Sequence, residues 1–273
     1  MNSPAEVAKN YVAIGKGKVN LPLPKMFILG ILAGMFIAMA GVAASTASAS
    51  ITTASVAKLV SGLVFPGGLA MVLLAGSELF TGNNLIIIPL MEREVSVGGM
   101  LKNWIVVYLG NLVGSVLVSA ICVYGNQVGL YSGALAVADM STAISKCSMP
   151  FGEAFLKGIA CNFLVCIAVW ISFAAKDVAG KIIGLFFPIM LFVVSGYEHS
   201  VANMYYISVG ILANGVESFA SLAADAGLKV EALTWGNMFI KNLLPVTLGN
   251  IVGGAGLVGL PYWFVYVRNS KKA

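Results

Sequence analysis

The sequence predicts an all-α membrane protein: six transmembrane helices in two inverted three-helix repeats, with spans 2 and 5 interrupted. Three observations predict it. Charged residues cluster so as to leave long apolar runs. Two of those runs are too long for one straight crossing and carry a lone glutamate. The polar pattern inside one of them recurs in the other. Of the 273 residues, 59% are hydrophobic and 10% are charged, against roughly 25% charged in an ordinary globular domain. Mean hydropathy is +0.93. So little charge cannot cover a water-facing surface, which excludes a soluble enzyme. The net charge of +5 does not point to nucleic acid, because the basic residues form no patch interleaved with aromatics.

Residues 1–25 come first. Ser3-Pro-Ala-Glu6 reads as a capping box with proline at the first helical position. It predicts a cytoplasmic amphipathic helix whose apolar face (Val7, Tyr11) lies on the inner membrane surface or on the body of the protein itself. Four lysines and no apolar core in this stretch argue against a signal peptide. The apolar runs follow. Residues 26–57, 103–138, 158–175 and 242–267 carry no charge, 59–91 carry only Glu78, and 182–216 carry only Glu198. About 20 apolar residues cross the ~30 Å hydrocarbon core, which makes six crossings. The six-span membrane domain is therefore 26–267, with repeats at about 26–125 and 153–267, and 268–273 is a cytoplasmic tail. Eleven of the sixteen lysines and arginines, Lys271 and Lys272 included, fall on the side of the termini. The positive-inside rule then makes both termini cytoplasmic.

The second and fifth runs are 33 and 35 residues long; as straight helices each would reach roughly 50 Å. Gly76, Gly82, Asn83 and Asn84 interrupt one, and Gly196 the other. Irregular backbone at membrane depth survives only where it is buried in protein or lines a cavity. Gly76-Ser-Glu78-Leu-Phe-Thr-Gly-Asn83 aligns with Gly196-Tyr-Glu198-His-Ser-Val-Ala-Asn203, 120 residues on. Leu109-Gly-Asn-Leu-Val-Gly114 aligns with Leu248-Gly-Asn-Ile-Val-Gly253, and Gly30-Ile31 more weakly with Gly158-Ile159. An odd number of crossings per copy forces opposite orientations. Paired broken helices in inverted repeats place a permeation site where the breaks meet.

His199, the only histidine, follows Glu198 in the second break, and an ionisable group at that depth is a functional candidate. Thr81 occupies the matching break, where its hydroxyl could bind a permeant or orient the imidazole. Glu78 and Glu198 are expected to turn away from the passage and accept backbone N–H groups freed by the breaks, with Asn83 and Asn203 in similar support. Phe65, Leu69, Leu79 and Phe192 could form apolar constrictions, although each alone also suits ordinary packing. GxxxG spacings at Gly30/Gly34, Gly110/Gly114 and Gly249/Gly253 allow close helix approach. Trp104, Trp170, Trp235 and Trp263 suggest an interfacial belt. Cys122, Cys147, Cys161 and Cys166 form no C-x-x-C pair and read as structural thiols. No metal-ligand, P-loop or catalytic motif is present, so neither enzyme chemistry nor a cofactor is expected.

Leu73-Leu-Ala-Gly-Ser-Glu-Leu-Phe-Thr-Gly82 is similar to the first signature of the formate/nitrite transporter family. Gly158-Ile-Ala-Cys-Asn-Phe-Leu-Val-Cys-Ile-Ala168 resembles the second, with Ile167 a mild departure where Leu or Val is expected. The resemblance spans roughly residues 3–268 and is greatest to the bacterial hydrosulfide ion channel branch. It implies an aquaporin-like fold, a homopentamer with one pore per protomer and a place in the bacterial inner (cell) membrane in contact with lipid. It also implies roles by motif position. Phe65 and Leu69 would form the cytoplasmic constriction and Leu79 and Phe192 the opposite one. Thr81 and His199 would be the central polar pair, and Lys146 and Asn162 would belong to the anion-attracting outer region and pore environment. The expected function is a channel for small monovalent weak-acid anions: hydrosulfide, with formate and nitrite. Two alternatives are a proton-coupled formate or nitrite symporter and, in a different class, an aquaporin-like pore for neutral solutes.

Overall fold

The computed structural model describes residues 1–268. Lys271, Lys272 and most of the expected tail lie outside the described residues. Helix α1 (Pro4–Val19) opens with the capping box: the Ser3 N–H donates to Glu6 Oε2 at 2.6 Å and the Glu6 N–H to Ser3 Oγ at 3.3 Å. The Ser3 backbone N–H, its largest influence, holds the Glu6 carboxyl below the usual range. Val7, Ala8 and Tyr11 are buried. Tyr11 packs edge-to-face on Phe173 at 5.7 Å, and its hydroxyl donates to the Gly82 carbonyl. Of the two sequence-based options for α1, the body of the protein is therefore the one realised.

Helices α2 (Leu23–Ser48), α3 (Ala54–Gly76), α4 (Phe80–Met91) and α5 (Val97–Tyr124) make up the first half. Helices α6 (Ala134–Cys147) and α7 (Phe151–Ala174) follow. After them come α8 (Val178–Val194), α9 (Ser200–Asn214), α10 (Glu217–Asp225) and α11 (Trp235–Tyr266). Helices α2, α3, α5, α7 and α11 are each long and apolar enough to cross a membrane, while α4 and α8 are shorter apolar helices and α9 and α10 meet at a 97° bend. The charge-free run expected to be the third span, 103–138, is not one helix. The chain leaves α5 at Gly125, takes positive φ at Asn126 (59°), and starts α6 beyond Gly133. Absence of charge marks apolarity, and it does not mark where a helix stops.

Close helix contact holds each half together. Helix α2 crosses α5 through Gly30, Gly34, Gly110 and Gly114. A Cβ on Gly110 would sit 2.7 Å from the Phe27 carbonyl oxygen. Helix α7 crosses α11 the same way, and a Cβ on Gly158 would sit 2.8 Å from the Val246 oxygen. Small residues substitute backbone van der Waals contact for a hydrophobic driving force that lipid does not supply. On the outer face of α5, Ile105, Leu109, Val113, Leu117 and Ile121 are exposed at four-residue intervals, as a surface facing lipid or other apolar partners requires. The tryptophan belt is not realised as expected. Trp104 and Trp170 are buried; the Trp104 Nε1–H donates to the Asn83 carbonyl, and the Trp263 Nε1–H to Glu92 Oε1. An indole N–H inside a bundle needs an acceptor, and these find one.

Both breaks are built alike. Helix α3 ends in a π-helical turn at Val72–Gly76, where Gly76 takes φ +83°, and Gly196 takes φ +69° after α8. A side chain would strain either position. The chain then runs extended through Ser77–Leu79 and Tyr197–His199 before α4 and α9 begin.

Candidate functional site

The two breaks are held by matching sets of polar side chains. Glu78 accepts from Lys18 Nζ at 2.8 Å and from Asn83 Nδ2 at 2.7 Å. Asn83 Nδ2 also donates to Asn103 Oδ1, and Asn103 Nδ2 donates to the Lys18 carbonyl. In the second break Glu198 accepts from Lys146 Nζ through both oxygens, at 2.9 and 3.0 Å, and from Asn203 Nδ2 at 2.6 Å. Asn203 Nδ2 donates to Asn242 Oδ1, and Asn242 Nδ2 to the Lys146 carbonyl. Each carboxylate is thus neutralised by a lysine that precedes the first span of its half.

Two expectations are corrected here. Glu78 and Glu198 do not accept backbone N–H groups; their partners are lysine and asparagine side chains. Nor do they turn away, since each lines a cavity wall. A buried carboxylate is tolerable there because a paired ammonium and an amide satisfy it.

The backbone of the breaks is satisfied by residues that the sequence reading did not single out. Asn111 Oδ1 accepts the Phe80 N–H at 3.0 Å, while its Nδ2 donates to the Gly30 and Glu78 carbonyls at 2.8 and 2.9 Å. Asn250 repeats this on the Ser200 N–H and the Gly158 and Glu198 carbonyls, at 2.9, 2.8 and 3.0 Å. The signal was present: Asn111 and Asn250 are the asparagines of the repeated Leu-Gly-Asn motif. Asn103 and Asn242 share their offset of 139 residues. Lys18 and Lys146 are 128 residues apart, the offset that relates Gly30 to Gly158.

Thr81 and His199 meet where the breaks approach. Thr81 Oγ1 lies 2.9 Å from His199 Nε2, and both residues are buried. His199 caps α9, its Nδ1 accepting the Ala202 N–H at 2.9 Å. A neutral imidazole whose Nδ1 accepts carries its proton on Nε2, so Nε2–H donates to Thr81 Oγ1. A second ring proton would have to displace the Ala202 bond. Behind the pair, Asn162 Nδ2 reaches the Thr81 and Asn250 carbonyls and Asn84 Oδ1, and the Cys166 thiol donates to the Thr81 carbonyl. Asn162 is fully buried, so it ties the segment after the first break to α11 and offers no open face to a cavity.

Cavities open on either side of the pair. One of about 370 Å³ is lined by Phe65, Phe192, His199, Lys58, Lys146, Glu198 and Tyr206. On the side of α1, a cavity of about 540 Å³ lined by Lys18, Glu78 and Lys181 adjoins one of about 30 Å³ that holds Leu69, Leu79 and Val169. Phe65 meets Phe192 edge-to-face at 5.7 Å, and Phe192 stacks on the His199 ring at 5.8 Å. Phe65 therefore pairs with Phe192 beside the first cavity, while Leu69 and Leu79 line the small one together. This grouping differs from the expected one, which put Phe65 with Leu69 and Leu79 with Phe192. Residues one turn apart on one helix sit at depths about 6 Å different, so Phe65 and Leu69 cannot close the same ring. Lys146 lines the cavity with Phe65 and Phe192, 5.6 Å from the Tyr206 ring centroid, but its charge is spent on Glu198. Among the described residues no cluster suits a metal ion, and all four cysteines are free and buried.

Comparison with known proteins now decides the family. The family described as formate/nitrite transporter matches residues 5–264. The chain belongs to the formate/nitrite transporter family. Relatives in it include a probable formate transporter of Methanothermobacter thermautotrophicus, 39% identical over 97% of both chains. The formate channel FocA of Escherichia coli is 37% identical over 98% of this chain and 95% of its own. Among solved structures, a pentameric formate channel with formate bound superposes with a TM-score of 0.80 at 36% identity, covering 90% of this chain and 98% of that one. An ion channel of the same family superposes at 0.79 with 31% identity, over 96% and 97%. As a member of this transporter and channel family, the chain is a multi-pass membrane protein and not an enzyme.

Proposed function

We propose that this protein is a channel for small monovalent weak-acid anions, with formate, nitrite and hydrosulfide as permeants. The observation that carries the reading is the buried Thr81–His199 pair set between two apolar pairs, with a cavity beyond each. Phe65–Phe192 and Leu69–Leu79 are the constrictions that strip water and exclude hydrated ions. Between them the permeant accepts a hydrogen bond from the Thr81 hydroxyl, which is itself held by His199 Nε2–H. Because the Ala202 N–H occupies Nδ1, this arrangement offers the anion hydrogen bonds and holds no stored proton. The positive ends of α4 and α9 face the same region and favour negative charge. Lys146–Glu198 and Lys18–Glu78, with Asn83, Asn103, Asn203 and Asn242, are the braces that keep the two breaks in register, and Asn162 fixes Thr81.

The matched contacts support two inverted three-helix repeats, aquaporin-like in layout. Spans 2 and 5 are then α3 with α4 and α8 with α9. We assign residues 1–25 as a docked cytoplasmic segment, both termini to the cytoplasmic side, and the bacterial inner membrane as the location. The named pentameric relative supports a homopentamer, and formate as a permeant. Flux into proteoliposomes tests the reading. Formate, nitrite and hydrosulfide should enter well above empty liposomes while chloride does not, and His199→Phe should alter the anion preference. Uphill accumulation driven by a pH gradient would instead establish the symporter. Glycerol or water flux without anion flux would overturn the channel reading.

A further inference from the structure

We propose that Lys58 is the anion-capture residue of the cavity on the Lys146 side, holding a monovalent anion of formate or nitrite size before it enters the Phe65–Phe192 slit. The proposal rests on the channel reading above. Three charged residues line this cavity: Lys58, Lys146 and Glu198. Lys146 and Glu198 neutralise each other through two hydrogen bonds, and Asn203 takes up further carboxylate capacity. To an arriving anion that pair is a compact dipole whose field falls off quickly. Lys157, the next cation, is held by Glu153 at 2.6 Å. Lys58 is exposed and has no hydrogen bond or ion pair among the described residues. The net positive charge of the cavity is therefore the Lys58 ammonium alone.

Its place on α3 gives that charge a direction. Ala54, Lys58, Ser61 and Phe65 all line the cavity at spacings of four, three and four residues, one face of a helix. Lys58 thus stands two turns, about 10 Å, from the aromatic at the slit, with the Ser61 hydroxyl between them. An unpaired ammonium at the mouth raises the local anion concentration over roughly a Debye length, about 8–10 Å at physiological salt. Removing Lys146 would unbalance a buried carboxylate, whereas removing Lys58 breaks no hydrogen bond or ion pair among the described residues.

The test reads the charge without relying on transport. Ser61→Cys is partly exposed in the cavity, while the four native cysteines are buried. In nanodisc-embedded full-length protein, its modification rate by an anionic sulfonate methanethiosulfonate is compared with that by a neutral one. With Lys58→Gln the anionic-to-neutral ratio should fall about five-fold at low salt, as expected for a unit charge one turn away. The difference should collapse near 1 M salt, where the Debye length is about 3 Å. A ratio unmoved by Lys58→Gln, or lowered equally at all salts, overturns the proposal. In proteoliposomes, Lys58→Gln should lower formate flux several-fold at subsaturating formate and low salt, with Lys58→Arg retaining it. Undiminished Lys58→Gln flux in a transporting protein also overturns capture. Absence of formate flux in the unmodified protein would instead overturn the channel reading, and the labelling ratio would still decide the charge of the cavity.

Discussion

Asn111 and Asn250 should be among the costly polar residues to truncate. Replacing Asn111 with Ala strands one donor, the Phe80 N–H, and two acceptors, the Gly30 and Glu78 carbonyls, all buried. Hydrogen bonds inside membrane proteins average about 0.6 kcal/mol and reach about 1.7, because the unfolded chain in lipid finds other partners. Three lost together amount to roughly 2–5 kcal/mol, consistent with ~1–3 kcal/mol for each unsatisfied buried group in water-soluble cores. Asn250→Ala should cost the same, since its three bonds repeat those of Asn111 within 0.1 Å. Asn111→Asp keeps the acceptor for Phe80 and loses the two donated bonds, so it should not recover full stability. The assay is equilibrium unfolding in detergent titrated with SDS, with Ser221→Ala as an exposed control. If Asn111→Ala costs no more than that control, water or backbone movement already satisfies the break, and the assigned role is wrong.

Three further outcomes are expected. Lys146→Met should destabilise by about 3–5 kcal/mol by stranding the Glu198 carboxylate, and adding Glu198→Gln should restore most of it; a double variant no better than the single would show that charge pairing is not the cause. Gly253→Ala places its Cβ against the Ile159 carbonyl and should cost about 1–3 kcal/mol by overpacking, whereas Gly98→Ala, with nothing within 4 Å, should be neutral or stabilising by thermal unfolding. Glu6 is held below its ordinary range by the Ser3 N–H, so its cap contribution is complete at neutral pH and is lost as acid pH falls through the lowered value. Proteolytic nicking of the N-terminal turn should rise there, and Glu6→Gln should abolish that pH response; an identical response in the variant would assign it to another group.

Much of the site could be read from local sequence because it depends on local rules. Gly76 and Gly196 stand where the chain needs positive φ, and a lone glutamate in a long apolar run signals a partner or a cavity. Ser3 and Glu6 specify the start of α1 through bonds three residues long. The glycine spacings announce which helix faces approach closely, because a missing side chain is visible as such. The extent of the third span was not legible. Residues 125–138 are uncharged, yet they turn at Asn126 and begin another helix, and nothing in hydropathy distinguishes an apolar turn from an apolar helix.

Composition, periodicity and the internal repeat were enough to establish a helical membrane protein with two broken helices and a polar pair in the breaks. Those features follow from the solvent: lipid demands apolar runs, and each exception must be justified where it stands. Tertiary structure alone decided the partners. Lys18 reaches Glu78 across 60 residues and Lys146 reaches Glu198 across 52, which turns an expected free cation into a neutralised brace and leaves Lys58, of the described cations lining that cavity, without an ion pair. It also set Phe65 against Phe192 and Leu69 beside Leu79, and it laid α1 on the channel body. Hydropathy records how much each residue avoids water, and only the packed backbone specifies which distant residue it meets.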